Sequence, residues 1–198
     1  MIKFGKRELK ELLISIVILT IALAFALSDF MYNRDVPLLV LSLILAFFAT
    51  ITAFFLHELA HKITAQKYGC WAEYRMWSRG LMFALVFGFM GFLFAAPGAV
   101  YISGFVDKKI SGRISIAGPI TNICLGAIFI TILLFVPLVS FLSMFFLFLA
   151  YINIWLGIFN LLPIPPLDGY KIMKWNIMIY IITMALAIAI FIILNIYL

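Results

Sequence analysis

The chain has 198 residues, of which 67% are hydrophobic and only 11% are charged. No soluble domain of this size can hide that much apolar surface in one core, so the composition excludes a water-soluble globular protein and implies a polytopic membrane protein. The net charge of +6 does not point to nucleic acid. The basic residues sit in small groups beside apolar segments, which is the pattern of topology signals and not of a phosphate-binding face.

A span needs about 20 apolar residues. Lys3, Lys6, Arg7 and Lys10 precede the first candidate, a short one at residues 12–27. It ends in Ser28-Asp29 without a small-residue cleavage pattern, so it reads as a retained span and not as a signal peptide. Residues 37–56 form the second candidate, whose helix is expected to continue through His57 to about Ala65. Tyr68, Trp71, Tyr74 and Trp77 then read as an interfacial aromatic belt, with Lys62 and Lys67 snorkelling toward headgroups. Residues 80–106 are apolar but interrupted by Gly88, Gly91, Pro97 and Gly98. Residues 114–167 carry no charge and are long enough for two spans, with Pro137 and Ser140 marking the turn between them. Residues 177–198 form the last span. The phenylalanines within residues 81–94 and 141–148 read as lipid-facing or packing residues. Cys70 and Cys124 are too few and too far apart for a disulfide framework or a CxxC site, and read as reduced structural thiols.

The interrupted stretch decides the topology. If residues 80–106 do not cross, every Lys and Arg except Arg34 lies on one side, and the positive-inside rule makes that side the cytoplasm. If they do cross, Lys108, Lys109, Arg113, Lys171 and Lys174 move outside, and His61 and Asp168 fall on opposite faces. The expected fold class is therefore an all-α polytopic membrane protein of about five transmembrane helices. Residues 80–106 add a re-entrant or membrane-associated element, with short strands near residues 99–103. The alternative is six transmembrane helices. No repeat or soluble domain is visible, so residues 1–198 read as a single transmembrane domain.

His57-Glu58-Leu59-Ala60-His61 lies at the end of the second span and contains both histidines of the chain. On a helix, positions i and i+4 share a face, so both imidazoles can bind one metal. Glu58 stands beside them as a candidate base for a metal-activated water. Ionisable residues at membrane depth are costly and mark functional sites.

The second informative stretch is Asn160-Leu161-Leu162-Pro163-Ile164-Pro165-Pro166-Leu167-Asp168-Gly169. Its three prolines cannot continue a regular helix, so the segment is expected to be extended, with a sharp turn at Gly169. Asp168 emerges on the same side as His61 and can complete a two-histidine, one-carboxylate zinc set with a fourth position open to water. Taken alone, Asp168 also fits an interfacial charge that merely ends a span.

These motifs together resemble the site-2 protease family of intramembrane zinc metalloproteases. HELAH within a span is followed about a hundred residues later by NLLPIPPLDG, and Gly118-Pro119-Ile120-Thr121-Asn122 resembles the GPxxN element of the same family. The resemblance implies one zinc ion per chain, held by His57, His61 and Asp168, with Glu58 activating the water. It also implies that Asn160 binds the substrate backbone or stabilises the oxyanion and that Asn122 supports the site. Read from the residues alone, Asn160 equally caps its helix, and Asn122 and Asn153 equally bond a neighbouring helix. The chain shows no PDZ- or CBS-type regulatory segment.

The function so implied is an endopeptidase in the cell membrane with its active site toward the cytoplasm. It would cut within or near the transmembrane segments of single-span, membrane-tethered proteins such as anti-sigma factors, tethered transcription factors or leftover signal peptides. Its partners are then those substrates and the lipid bilayer, with no nucleic acid. A strand edge near residues 99–103 is expected to pair with the unwound substrate. The rival reading is a membrane metal-ion transporter using the histidine pair as an ion site, although the outer halves of the spans offer almost no charges to continue a path. A catalytically inactive scaffold is a third reading, against which Glu58 speaks.

Overall fold

The computed structural model describes residues 2–92 and 95–197, with only the backbone at Tyr197. Phe94 of the phenylalanine-rich stretch and Leu198 at the end of the last predicted span lie outside the described residues. In chain order the elements are α1 (Lys6–Ser28), α2 (Phe30–Asn33), α3 (Val36–Ala49), a π-helical stretch (Thr50–Phe55), α4 (Leu56–Lys67), β1 (Trp71–Met76), α5 (Ser78–Phe89), β2 (Gly98–Ser103), α6 (Lys108–Phe135), α7 (Ser140–Asn160), α8 (Asp168–Trp175) and α9 (Ile177–Tyr197).

Local signals set the boundaries. Asp35 accepts from Leu38 N at 2.9 Å and opens α3, with Pro37 in the first turn, where its missing N–H is no loss. Asp107 accepts from Ile110 N at 2.7 Å and starts α6 at Lys108, so the basic segment from Lys108 to Arg113 is the first turn and a half of a helix. Val136 is extended before Pro137 and ends α6. Asn176 accepts from Met178 N and Ile179 N and opens α9.

Among the described residues, five helical segments are long and apolar enough to cross a membrane: Lys6–Ser28, Val36–Lys67, Lys108–Phe135, Ser140–Asn160 and Ile177–Ile196. Helix α5 has 12 residues. At 1.5 Å per residue that is about 18 Å, well short of the roughly 30 Å hydrocarbon core. The five-span reading therefore holds, with residues 80–106 supplying a short helix and a strand. The protein is an all-α polytopic membrane protein with one small two-stranded sheet.

The chain divides into two compact units. The first comprises residues 1–55 and 72–101. Here α1 packs against α3 and α5 around Leu12, Leu19, Ala22, Phe54, Tyr74, Leu81 and Ala84. Gly88 lets α5 cross α1 closely, since a Cβ there would lie 2.3 Å from Ala22 O. Glu8 and Glu11 on α1 are buried and accept from two amides of β1, Tyr74 N and Met76 N, each at 3.0 Å. Tyr74 itself is 1% exposed, and its hydroxyl bonds Ser15 Oγ and Pro97 O. It is a core residue and not part of an aromatic belt, whereas Trp71, Trp77 and Tyr68 are exposed.

The second unit comprises residues 56–71 and 102–198. Helix α6 is its centre and packs against α4, α7, α8 and α9. Small residues let the helices approach: Gly126 of α6 faces Ile154 of α7, and Gly112 faces Trp175 of α8. Leu161, Ile172, Ile123 and Ala187 form a buried cluster that fixes α8. Lys62 is buried at 2% exposure, so it does not snorkel as expected.

Candidate metal centre

All six residues singled out from the sequence lie in the second unit. His57 and His61 sit in successive turns of α4, and Asp168 is the first residue of α8. All three are buried, at 4%, 7% and 8% exposure. The ring nitrogens and a carboxylate oxygen converge: His57 Nε2 lies 3.0 Å from His61 Nε2, and Asp168 Oδ2 lies 3.3 Å and 3.0 Å from these two atoms.

The opposite side of each ring explains this orientation. His61 Nδ1 donates to Ile114 O at 2.8 Å, and His57 Nδ1 donates to Asn122 Oδ1 at 2.5 Å. Both acceptors belong to α6. Pro119, inside the same helix, removes the donor for Ser115 O and loosens this turn. Gly118 brings α6 against the rings. A Cβ there would lie 2.5 Å from Nε2 of both histidines.

With each Nδ1 protonated toward an acceptor, a neutral imidazole presents a lone pair at Nε2. Two such lone pairs and a carboxylate oxygen then face one another with no hydrogen to share, and a shared cation satisfies all three. Tetrahedral zinc ligands at about 2.0–2.1 Å stand about 3.3 Å apart, which the observed separations of 3.0–3.3 Å match. The donor set fits zinc.

Asp168 is delivered by the proline-rich segment in a different way from that expected. Residues 161–167 are a series of bends and turns and not an extended strand. The prolines stop the helix, while Leu161, Leu162 and Leu167 still donate their amides to Gly157, Phe159 and Ile164. Gly169 is helical, and its role is close approach: a Cβ would lie 2.0 Å from Leu161 O. Burial opposes ionisation of Asp168, but a positive charge shared with His61 and His57, a proton or a bound cation, outweighs it and holds the carboxyl far below the ordinary carboxylate range. Its Oδ1 lies 3.8 Å from Lys171 Nζ.

Glu58 follows His57 in the first turn of α4 and is half-buried. Asn160 ends α7, and its Nδ2 donates to Leu156 O at 3.1 Å. Asn122 touches His57 directly, and its Nδ2 donates to Asn153 Oδ1 at 3.1 Å. The sequence reading missed the contribution of Ile114 O, because a backbone carbonyl leaves no sequence signal. Asn153, read from the sequence as bonding a neighbouring helix, does so through Asn122 of α6.

The sequence pattern that defines peptidase family M50 matches residues 135–180, the segment that carries Asn160 and Asp168. Three similar proteins share the name "Putative zinc metalloprotease". MJ0611 of Methanocaldococcus jannaschii is 38% identical over 182 residues, covering 91% of this chain and 90% of its own length. The chain belongs to peptidase family M50. YwhC of Bacillus subtilis is 34% identical over 142 residues, covering 63% of this chain and 65% of its own. Rip2 of Mycobacterium tuberculosis is 30% identical over 134 residues, covering 60% and 52%. No solved structure matches the chain. The protein is thus an M50 (site-2 protease) zinc metalloprotease with membrane-spanning helices, which displaces the transporter and scaffold readings.

Proposed function

We propose that this M50 protease hydrolyses peptide bonds within or near the transmembrane segments of membrane-tethered proteins, with His57, His61 and Asp168 holding the zinc and Glu58 acting as general base. The observation that carries the reading is the buried convergence of two imidazole lone pairs and one carboxylate oxygen beside Glu58, in a chain with five apolar helices.

When bound, zinc polarises a water and the scissile carbonyl and brings the pKa of that water toward neutrality. Glu58 takes the proton of the attacking water and returns it to the leaving amine. Asn160 exchanges its bond to Leu156 O for a substrate backbone group or the developing oxyanion, a contribution of a few kcal/mol where it applies. The site faces the cytoplasm, a placement supported by the one-sided distribution of Lys and Arg. Residues 37–170 form the catalytic core of a single membrane domain.

The substrate is a single-span protein whose helix unwinds locally and pairs with the sheet. Tyr74 N and Met76 N of β1 are taken by Glu8 and Glu11, so the added strand lies on the β2 side. Cleavage surviving Val100→Pro and Ile102→Pro would remove this pairing from the proposal.

The main test is reconstitution of the purified protein in vesicles with a model single-span substrate. Cleavage is expected to stop with a zinc chelator and with Glu58→Gln, while Glu58→Gln retains zinc. Cleavage unaffected by Glu58→Gln would refute the assignment of the base, and cleavage confined to soluble peptides would refute the intramembrane substrate.

A further inference from the structure

We propose that Asn153, which lies outside all three sequence motifs, is a positioning residue for zinc binding: it fixes which end of the Asn122 amide faces His57, and thereby the tautomer of that histidine. The inference rests on the reading of His57 as a zinc ligand.

Asn153 and Asn122 are both fully buried, on α7 and α6. Asn153 Nδ2 donates to Leu149 O at 2.9 Å. A backbone carbonyl can only accept, so the amino end of Asn153 is committed to it and the oxygen end is turned toward Asn122. That oxygen accepts from Asn122 Nδ2 at 3.1 Å, which commits the amino end of Asn122 in turn. The remaining atom, Asn122 Oδ1, faces His57 Nδ1 at 2.5 Å. Because it too can only accept, the imidazole proton is held on Nδ1 and the lone pair on Nε2 is directed at His61 and Asp168.

The reversed arrangement shows what is at stake. With the Asn122 amide turned over, its amino group would face His57 Nδ1, which would need a lone pair there. The proton would move to Nε2 and occupy the position required for metal binding. His61 needs no such relay, because Ile114 O accepts from it directly. Both histidines are therefore oriented by backbone carbonyls, one in a single step and the other through two amides.

The test compares Asn153→Leu, which removes both bonds, with Asn153→Asp, which keeps an acceptor for Asn122. Asn153→Ser keeps a hydroxyl for Leu149 but is too short for Asn122, and replaces Asn153→Leu should that variant not fold. Two readouts are needed: the imidazole nitrogen NMR shifts of the metal-free protein, which has only two histidines, and zinc affinity by competition with a chelator.

Asn153→Leu and Asn153→Ser are expected to give a mixture of His57 tautomers and an affinity lower by about tenfold. Asn153→Asp is expected to keep the Nδ1-protonated tautomer and the original affinity even as it lowers thermal stability. An unchanged tautomer in Asn153→Leu or Asn153→Ser would overturn the proposal, as would affinity that merely tracks stability across the series. Unchanged zinc affinity in His57→Ala would sink the ligand reading instead, with the tautomer result left standing.

Discussion

Gly118→Ala tests the centre with one added carbon. The new Cβ would lie 2.5 Å from Nε2 of His57 and of His61, and 2.6 Å from His57 Cε1. Ordinary carbon contacts begin at about 3.5 Å, so the rings would have to retreat by about 1 Å. They are poorly placed to do so, because Ile114 O and Asn122 Oδ1 hold the other side of each ring. Metal sites tolerate ligand displacements of only about 0.2 Å. A loss of zinc affinity of about a hundredfold is expected, equivalent to about 2.8 kcal/mol. The assay is chelator competition in detergent, with thermal unfolding of the metal-free protein as the folding control. Gly157→Ala is the companion variant, since its Cβ would meet Asn122 Cβ at 3.4 Å, close to ordinary contact, and a much smaller loss is expected. Gly118→Ala that retains both zinc affinity and cleavage would refute the assignment of these imidazoles to the metal.

Acidification is expected to release zinc through the histidines and not through Asp168. The folded-state pKa of Asp168 is lowered, so its stabilising contribution is present above the ordinary carboxylate range and is lost only in stronger acid. Ligation requires imidazoles with no proton on Nε2, so zinc affinity should fall on acidification; an affinity independent of pH in a zinc titration would contradict this. Separately, Tyr74→Phe removes the donor that reaches Pro97 O at 2.9 Å and leaves a partly buried carbonyl less well satisfied. A loss of about 1 kcal/mol is expected by thermal unfolding, with zinc affinity unchanged.

The spans were legible because a membrane demands long apolar runs, and because charge placement alone argued that residues 80–106 should not cross. The candidate trio was legible for a related reason: His57, His61 and Asp168 are ionisable groups that an apolar chain does not carry without cause. Strand β1 was not. The four aromatics in and beside it fit an interfacial belt equally well, and the burial of Tyr74 depends on Ser15 and Pro97, 59 and 23 residues away. The helical start at Lys108 was within reach, since Asp107 three residues before Ile110 is a capping signal. The orientation of His61 was not, because its partner is a main-chain oxygen that any residue at position 114 would supply.

Glu8 and Glu11 have a consequence for how the molecule must be handled. By accepting from two alternate amides of β1, their carboxylates stand in for the backbone of an absent neighbour. The start of α1 is thus part of the sheet as well as a membrane anchor. Shortening the N-terminus past Glu11 would uncover an unsatisfied strand edge, the usual template for self-association. Such a truncated chain should sediment as larger species than the untruncated chain, and an unchanged sedimentation profile would show that β1 needs no such cover.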